Sequence, residues 1–171
     1  SYHKFLAVSD NAIIPFPTLE EKKSIIENTI SLWKALKVET PKVALLTALE
    51  TVSLKMQSTL DAACLSKMSQ RGQIKGFMIE GPLAYDVAID KECAKGKKMM
   101  NSSVAGDPDM LLMPNLESGN ILGKSFKFHA NADSGGLVFG ASAPVVLNSR
   151  SDCSRRRLNS LLMARAIAEI I

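Results

Sequence analysis

The run Lys42-Val-Ala-Leu-Leu-Thr47, the segment from Ser58 to Gly72, and the run Gly76-Phe-Met-Ile-Glu80 decide the fold. The first reads as a buried strand with Val-Ala-Leu-Leu at its centre, and the third as a second strand. Between them Leu60, Cys64 and Met68 recur every four residues, and Ser58 with Asp61 carries a capping signature at the head of a helix that should stop at Gly72. Strand, helix and strand in this order make a βαβ unit.

The alternation extends in both directions. Phe5–Val8 is a candidate strand that ends at the turn-prone Ser9-Asp10-Asn11. Pro15 and Pro17 punctuate the chain before Thr18, an N-cap whose capping box is completed by Glu21. Ile25, Ile26, Ile30, Trp33 and Leu36 then recur at about the helical period up to Leu36. Downstream, a turn at Gly81-Pro82 leads into a helix over about Asp86–Lys97. Met110–Met113 is a further strand, followed by Pro114 and a helix near Ser118–Ala130. Gly135–Phe139 and Pro144–Leu147 are short strands around a glycine-containing turn, and Ser154–Ile171 is an apolar helix. The pattern is that of an α/β protein with a largely parallel sheet covered on both faces. Ligands of such sheets bind outside the carboxyl ends of the strands, and every candidate loop follows an expected strand.

Composition narrows the function. The chain has 171 residues, 46% hydrophobic and 22% charged, which suits one compact domain and excludes disordered, collagen-like and disulfide-scaffold classes. It contains no apolar run of the about 20 residues needed to span a membrane, and its start carries no secretory pattern. Net charge is +4, aromatics are 5%, and the only dense basic run is Arg155-Arg156-Arg157, so a small anionic ligand fits better than a nucleic acid. Three cysteines, Cys64, Cys93 and Cys153, are odd in number and far apart, against a disulfide framework or a CxxC zinc site. A reducing cytoplasm is the expected compartment.

Several stretches carry possible chemistry. Ser118-Gly-Asn-Ile-Leu-Gly-Lys124-Ser125 approximates a phosphate-cradling P-loop, but Ser118 stands where the first glycine belongs. The weaker reading is an anion held by Gly119, Asn120 and a helix N-terminus. Asn148-Ser149-Arg150-Ser151-Asp152 offers a guanidinium fork, a neighbouring hydroxyl and, in Asp152, a general base. Its plainer reading is a polar loop in which Ser151 or Asp152 caps the next helix. Glu80 and Asp86 are either paired carboxylates or a turn with Asp86 near a helix start, and the second reading is preferred. Asp107-Pro108-Asp109 has the form of a metal-binding DxD but reads better as the end of a loop before a strand. His3 and His129 lack partners at ligand spacing, so no metal is expected. Met99-Met100 reads as core filler, and no GxSxG elbow is present.

Taken together, Pro41–Glu50, Met68-Ser-Gln-Arg-Gly-Gln-Ile74, Glu80-Gly-Pro-Leu-Ala-Tyr-Asp86-Val-Ala88, Val104–Asp109, Pro114-Asn-Leu-Glu-Ser-Gly-Asn120 and Pro144–Asp152 resemble the phosphate acetyl/butyryltransferase family. The Gly-Pro-Leu and Ser-Arg-x-Asp forms lie nearer the butyryl branch. The resemblance implies a three-layer αβα fold like that of isocitrate and isopropylmalate dehydrogenases. It also implies reversible acyl transfer between coenzyme A and inorganic phosphate, with no metal or prosthetic group. Ser149 and Arg150 match the family's pair that binds phosphate or polarises the acyl carbonyl, and Asp152 stands as the base for the thiol. Gly119, Asn120 and Lys124 match substrate-binding positions, and Asp86 is placed with them, although Gly123 replaces the tyrosine common before the lysine. Family enzymes are usually oligomeric and carry an earlier domain. Residues 1–153 then match their second domain, and 154–171 the helix that packs on the first. Here that helix is expected to fold over its own sheet or join a partner chain. The alternative is a non-catalytic fragment that binds an anion or CoA.

Overall fold

The computed structural model describes residues 2–99 and 101–171. Its elements are β1 (Ala7–Ser9), α1 (Leu19–Asn28), α2 (Ile30–Ala35), β2 (Lys42–Leu46), α3 (Gln57–Gln70), β3 (Met78–Leu83), α4 (Tyr85–Ile89), α5 (Lys91–Gly96), β4 (Met110–Leu112), α6 (Leu116–Phe128), β5 (Leu137–Val138), β6 (Val145–Val146) and α7 (Ser154–Ala168). The first four strands form one parallel sheet in the order β1-β4-β2-β3, and β5 pairs with β6 in a separate antiparallel ribbon.

Successive strand residues alternate between two apolar cores, as period-two geometry requires. Val43, Leu45, Ile79, Met110 and Leu112 meet Ile26, Trp33 and Leu65 on the face covered by α1, α2 and α3. Ala44, Leu46, Leu83 and Leu111 meet Val87, Ala88 and Ala94 on the face covered by α4 and α5. The result is the expected αβα layering. Met99 packs partly buried against the second core, and its neighbour Met100 lies outside the described residues.

Local chemistry explains where the elements depart from the sequence pattern. The capping box at Thr18 forms in both directions, with the Glu21 N–H donating to Thr18 Oγ1 and the Thr18 N–H to Glu21 Oε2. The expected single helix up to Leu36 is interrupted at Thr29, whose hydroxyl donates to the Ile26 carbonyl and accepts from the Trp33 indole. The expected helix over Asp86–Lys97 is divided at Asp90, which turns extended and caps α5 by accepting from the N–H groups of Glu92 and Cys93.

Gly81-Pro82 is not a turn. Both residues lie inside β3, where the pairing with β2 slips by one residue between Ala44 and Leu46. A Cβ on Gly81 would stand 2.6 Å from Leu45 Cβ, so only glycine fits the bulge. Pro82, which has no N–H to donate, is tolerated because β3 is an edge strand.

The capping signature at Ser58 is also corrected. α3 begins after Met56, and Asp61 points inward to a buried ion pair with Lys22 of α1 at 2.6 Å, their side chains 9% and 6% exposed. Gln57 Nε2 donates to the other Asp61 oxygen. α3 therefore buries Asp61, Ala62 and Leu65, and leaves Cys64 exposed.

The pair joins α1 to α3, and both charges are largely shielded from water. Asp61→Ala should cost about 3–5 kcal/mol, because it strands a buried ammonium, whereas Lys22→Met with Asp61→Leu should lie much closer to wild type. Urea unfolding of the three proteins checks this; equal losses in the single and double variants would contradict it.

Candidate functional site

The carboxyl edge of the sheet is built from the segments after β1 and β4. Asp10, just past β1, is buried, and its carboxylate accepts from the N–H groups of Ala12, Ile13 and Ile14. α6 docks against this turn. Gly119 lies so close that an added Cβ would stand 2.3 Å from the Asp10 carbonyl oxygen, and Asn120 Nδ2 donates to the Asn11 carbonyl at 3.1 Å. Asn115 caps the helix by accepting from the Ser118 N–H.

The helix start at Leu116 changes two of the sequence readings. The P-loop-like segment is helical throughout, so it contains no glycine loop that could wrap a phosphate. The Gly119 N–H donates to the Asn115 carbonyl at 3.2 Å and is not free for an anion. Asn120, Lys124 and Lys127 follow one another at helical spacing along one side of α6.

The Asn148–Asp152 loop follows β6 of the ribbon, not a strand of the main sheet. It meets α6 through Lys127, whose Nζ donates to Asp152 Oδ1 at 2.8 Å. Asp152 Oδ2 accepts from the Ser149 N–H at 2.8 Å, closing a short turn in which the Asp152 N–H returns to the Ser149 carbonyl. Burial pushes the Asp152 carboxyl up, but the bonds from Lys127 and Ser149 outweigh it and hold it below the usual carboxylate range. Asp152 does not cap α7 with its side chain. The N-cap position falls to Cys153, whose exposed thiol is lowered by the N–H groups of Arg156 and Arg155.

Residues that sequence reasoning passed over hold this loop. Buried Ser160 Oγ accepts from Asn148 Nδ2 and from the Gly136 N–H, and it donates to the Arg156 carbonyl. The arginine triplet is divided between this loop and the end of α6 with the segment after it. Arg155 pairs with Asp133, Arg156 donates to the carbonyls of Lys127 and Ala132, and Arg157 donates to those of Asp152 and Arg150. Lys124 and Arg150 are exposed, and neither has an ion-pair partner among the described residues. Ser149 is exposed beside Arg150, its Oγ 3.0 Å from that of Ser151. Lys127 follows Lys124 at helical spacing, and that spacing is the signal in the sequence that could have singled it out.

Asp86 stands apart. It is exposed on the first turn of α4, and the contact of that helix with α6 runs through Tyr85 and Phe126, whose ring centroids are 6.3 Å apart. Glu80 is not its partner, since Glu80 Oε2 accepts from Ser102 Oγ. Asp107 and Asp109 are occupied by cations of the protein itself. Asp107 bonds His3, Lys4 and Lys42, and Asp109 pairs with Lys4 at 2.7 Å. Among the described residues no cluster of three metal-ligating side chains occurs, and no helix is long and apolar enough to cross a membrane.

Residues 2–165 match the family model described as phosphate acetyl/butaryl transferase. The chain belongs to that family. It is 50% identical over 163 residues to a phosphate acetyltransferase of Rhizobium meliloti, covering 95% of this chain and 51% of the relative. It is 44% identical over 167 residues to a phosphate butyryltransferase of Clostridium acetobutylicum, covering 98% and 55%. Among solved structures it superposes on a branched-chain phosphotransacylase from Enterococcus faecalis with a TM-score of 0.83 at 32% identity, over 94% of this chain and 57% of that one. The chain thus spans about half the length of the relatives it matches, and relatives of both acetyl and butyryl type share its sequence.

Two outcomes follow from the geometry. Gly119→Ala forces α6 off the Asp10 turn, so it should cost about 1–3 kcal/mol, read as a lowered thermal midpoint. An unchanged midpoint would mean that the approach is not tight. Burial raises the Asp107 carboxyl, yet the bonds from Lys42, Lys4 and His3 prevail and hold it far below the usual range. A depressed carboxylate contributes stability that is complete above its unfolded pKa of about 3.9 and is lost as pH falls toward its folded value. The stability advantage of wild type over Asp107→Asn should therefore be constant above about pH 5 and shrink below about pH 4. A gap independent of pH in paired melts would refute this.

Proposed function

We propose that this chain carries part of the site of a phosphate acyltransferase, which moves a short-chain acyl group reversibly between coenzyme A and inorganic phosphate. The observation that carries the reading is the division of labour among the cations. Arg157 is spent on the loop's own carbonyls, Arg156 on carbonyls at and just after the end of α6 and Arg155 on Asp133, while Arg150 is presented to solvent beside the Ser149 hydroxyl. A free guanidinium next to a hydroxyl on a fixed turn suits a phosphate or a polarised carbonyl.

In this reading an oxygen of hydrogen phosphate attacks the thioester carbonyl, the carbon–oxygen bond forms, the carbon–sulfur bond breaks, and the CoA thiolate leaves and takes up the proton that the phosphate gives up. Arg150 and Ser149 donate to the oxygen on which charge develops. Lys124 and Asn120 on α6 supply further contacts to the anionic substrates, with Gly119 setting how deeply that helix sits, and Asp86 is retained as a more distant substrate contact. In the reverse direction the thiol, with an ordinary pKa near 8.5, benefits from a base. The support for Asp152 in that role is its place beside Ser149, but its oxygens are already bonded. The reading includes a homo-oligomer in the cytoplasm and no metal or prosthetic group. It also treats residues 154–171 as the helix that meets the other half of a full-length enzyme, through the exposed Leu158, Leu161 and Leu162.

Phosphate-dependent release of CoA thiol from butyryl-CoA and acetyl-CoA tests the proposal. Release should require phosphate and fall by about 10²-fold or more in Arg150→Ala, the scale set by loss of one donor to a developing oxyanion. Folded protein that binds phosphate but releases no thiol would instead establish a binding fragment.

A further inference from the structure

We infer that Lys127 is a positioning residue for the Ser149–Arg150 turn, acting through Asp152 as its intermediary. The inference rests on the anion-site reading above. It adds a residue outside the Ser-Arg-x-Asp run and gives Asp152 a supporting role in place of that of a base.

Asp152 is the hub. Its side chain is 4% exposed, and its two oxygens face in different directions, one to Lys127 Nζ on α6 and the other to the Ser149 N–H. Lys127 is itself three-quarters buried, so its ammonium is directed at the carboxylate and not at solvent. A charge-assisted bond of this kind is stronger than a neutral one, and burial of the acceptor leaves it no water to exchange for. The rest of the loop is fixed by Arg157, which donates to the backbone carbonyls of Asp152 and Arg150, and by Ser160, which accepts from Asn148. Arg156 of α7 bonds the carbonyl of Lys127, and among the described residues the Lys127–Asp152 pair is the side-chain bond that ties the turn itself to α6, the helix that also bears Asn120 and Lys124. It therefore sets the register between the two groups of anion-binding residues. Removing the ammonium leaves a buried carboxylate held by the Ser149 N–H and the Asn148 side chain, and the carboxylate turns toward water to replace its lost partner. That movement draws it away from the Ser149 amide and with it changes the direction of Arg150.

The test uses the full 171-residue chain, inorganic phosphate as the probe, and the variants Lys127→Met, Lys127→Arg and Arg150→Ala. Calorimetry reads phosphate affinity, amide exchange reads the Ser149 N–H, and thermal melting confirms that each variant folds. Lys127→Met should weaken phosphate binding about tenfold, the equivalent of 1.4 kcal/mol, and deprotect the Ser149 amide. Lys127→Arg should restore both, because a guanidinium reaches the same carboxylate. Loss of affinity with the Ser149 amide still protected would overturn the inference, since Lys127 would then be touching phosphate itself. So would wild-type affinity in Lys127→Met. If wild type and Arg150→Ala bind phosphate equally, the anion-site reading fails, and the inference falls with it; that result is distinguished by the behaviour of Arg150→Ala.

Discussion

The architecture depends on one constraint, the insertion of β4 between β1 and β2. Met110 and Leu112 point into one core and Leu111 and Met113 into the other, and all four are at most 5% exposed. A strand buried on both faces has no polar side to give to water, so each face needs a layer of helices. The chain meets that need by reversing direction. It moves outward from β2 to β3 and then returns across β2 to place β4, and right-handed crossovers put the outgoing and returning helices on opposite faces. This reversal is also what leaves a small crevice at the carboxyl ends of β4 and β2, between α1, α3 and the Pro114 segment.

Most of this layering is legible because buried parallel strands are plain apolar runs. Lys42–Leu46 is found within one residue of its expected end, and the capping box at Thr18 is present atom for atom. The misreadings share a cause. At Ser58 and Asp61 a local capping pattern competes with a tertiary demand, and the buried ammonium of Lys22, thirty-nine residues away, takes the carboxylate. At Gly81-Pro82 two turn-prone residues serve a bulge, because the partner strand comes too near for any side chain. Propensity describes what a segment does alone, and both sites are settled by what lies across from them.

The candidate site divides along the same line. Ser149, Arg150 and Asp152 are adjacent in sequence, so their chemistry is visible without a structure. What fixes them is not: Lys127 lies twenty-five residues before Asp152, and Ser160 twelve after Asn148. A lysine on a helix and a serine in the next helix carry no sign of their partners until α6 and α7 are packed around the loop. The arginine triplet reads as a small basic patch, yet each guanidinium is bonded to an acid or a carbonyl of the protein itself.

In the proposed reading, these internal bonds leave few unpaired donors at the loop to meet a small anion. A guanidinium bonded to carbonyls still contributes positive potential, but its donors are used and it cannot follow a ligand. The field around the loop is therefore set by fixed charges, while the donors left to meet a ligand are few: Arg150, Lys124 and the Ser149 hydroxyl. Fixed potential with few free donors favours a small, compact anion over a flexible polyanion, because a polymer gains from many interchangeable contacts and a single phosphate gains from two or three well-aimed ones. The aim depends on the turn being held before the ligand arrives. In the role inferred above, that work falls to a buried carboxylate whose bonds are internal, which makes Asp152 part of the frame of the proposed site.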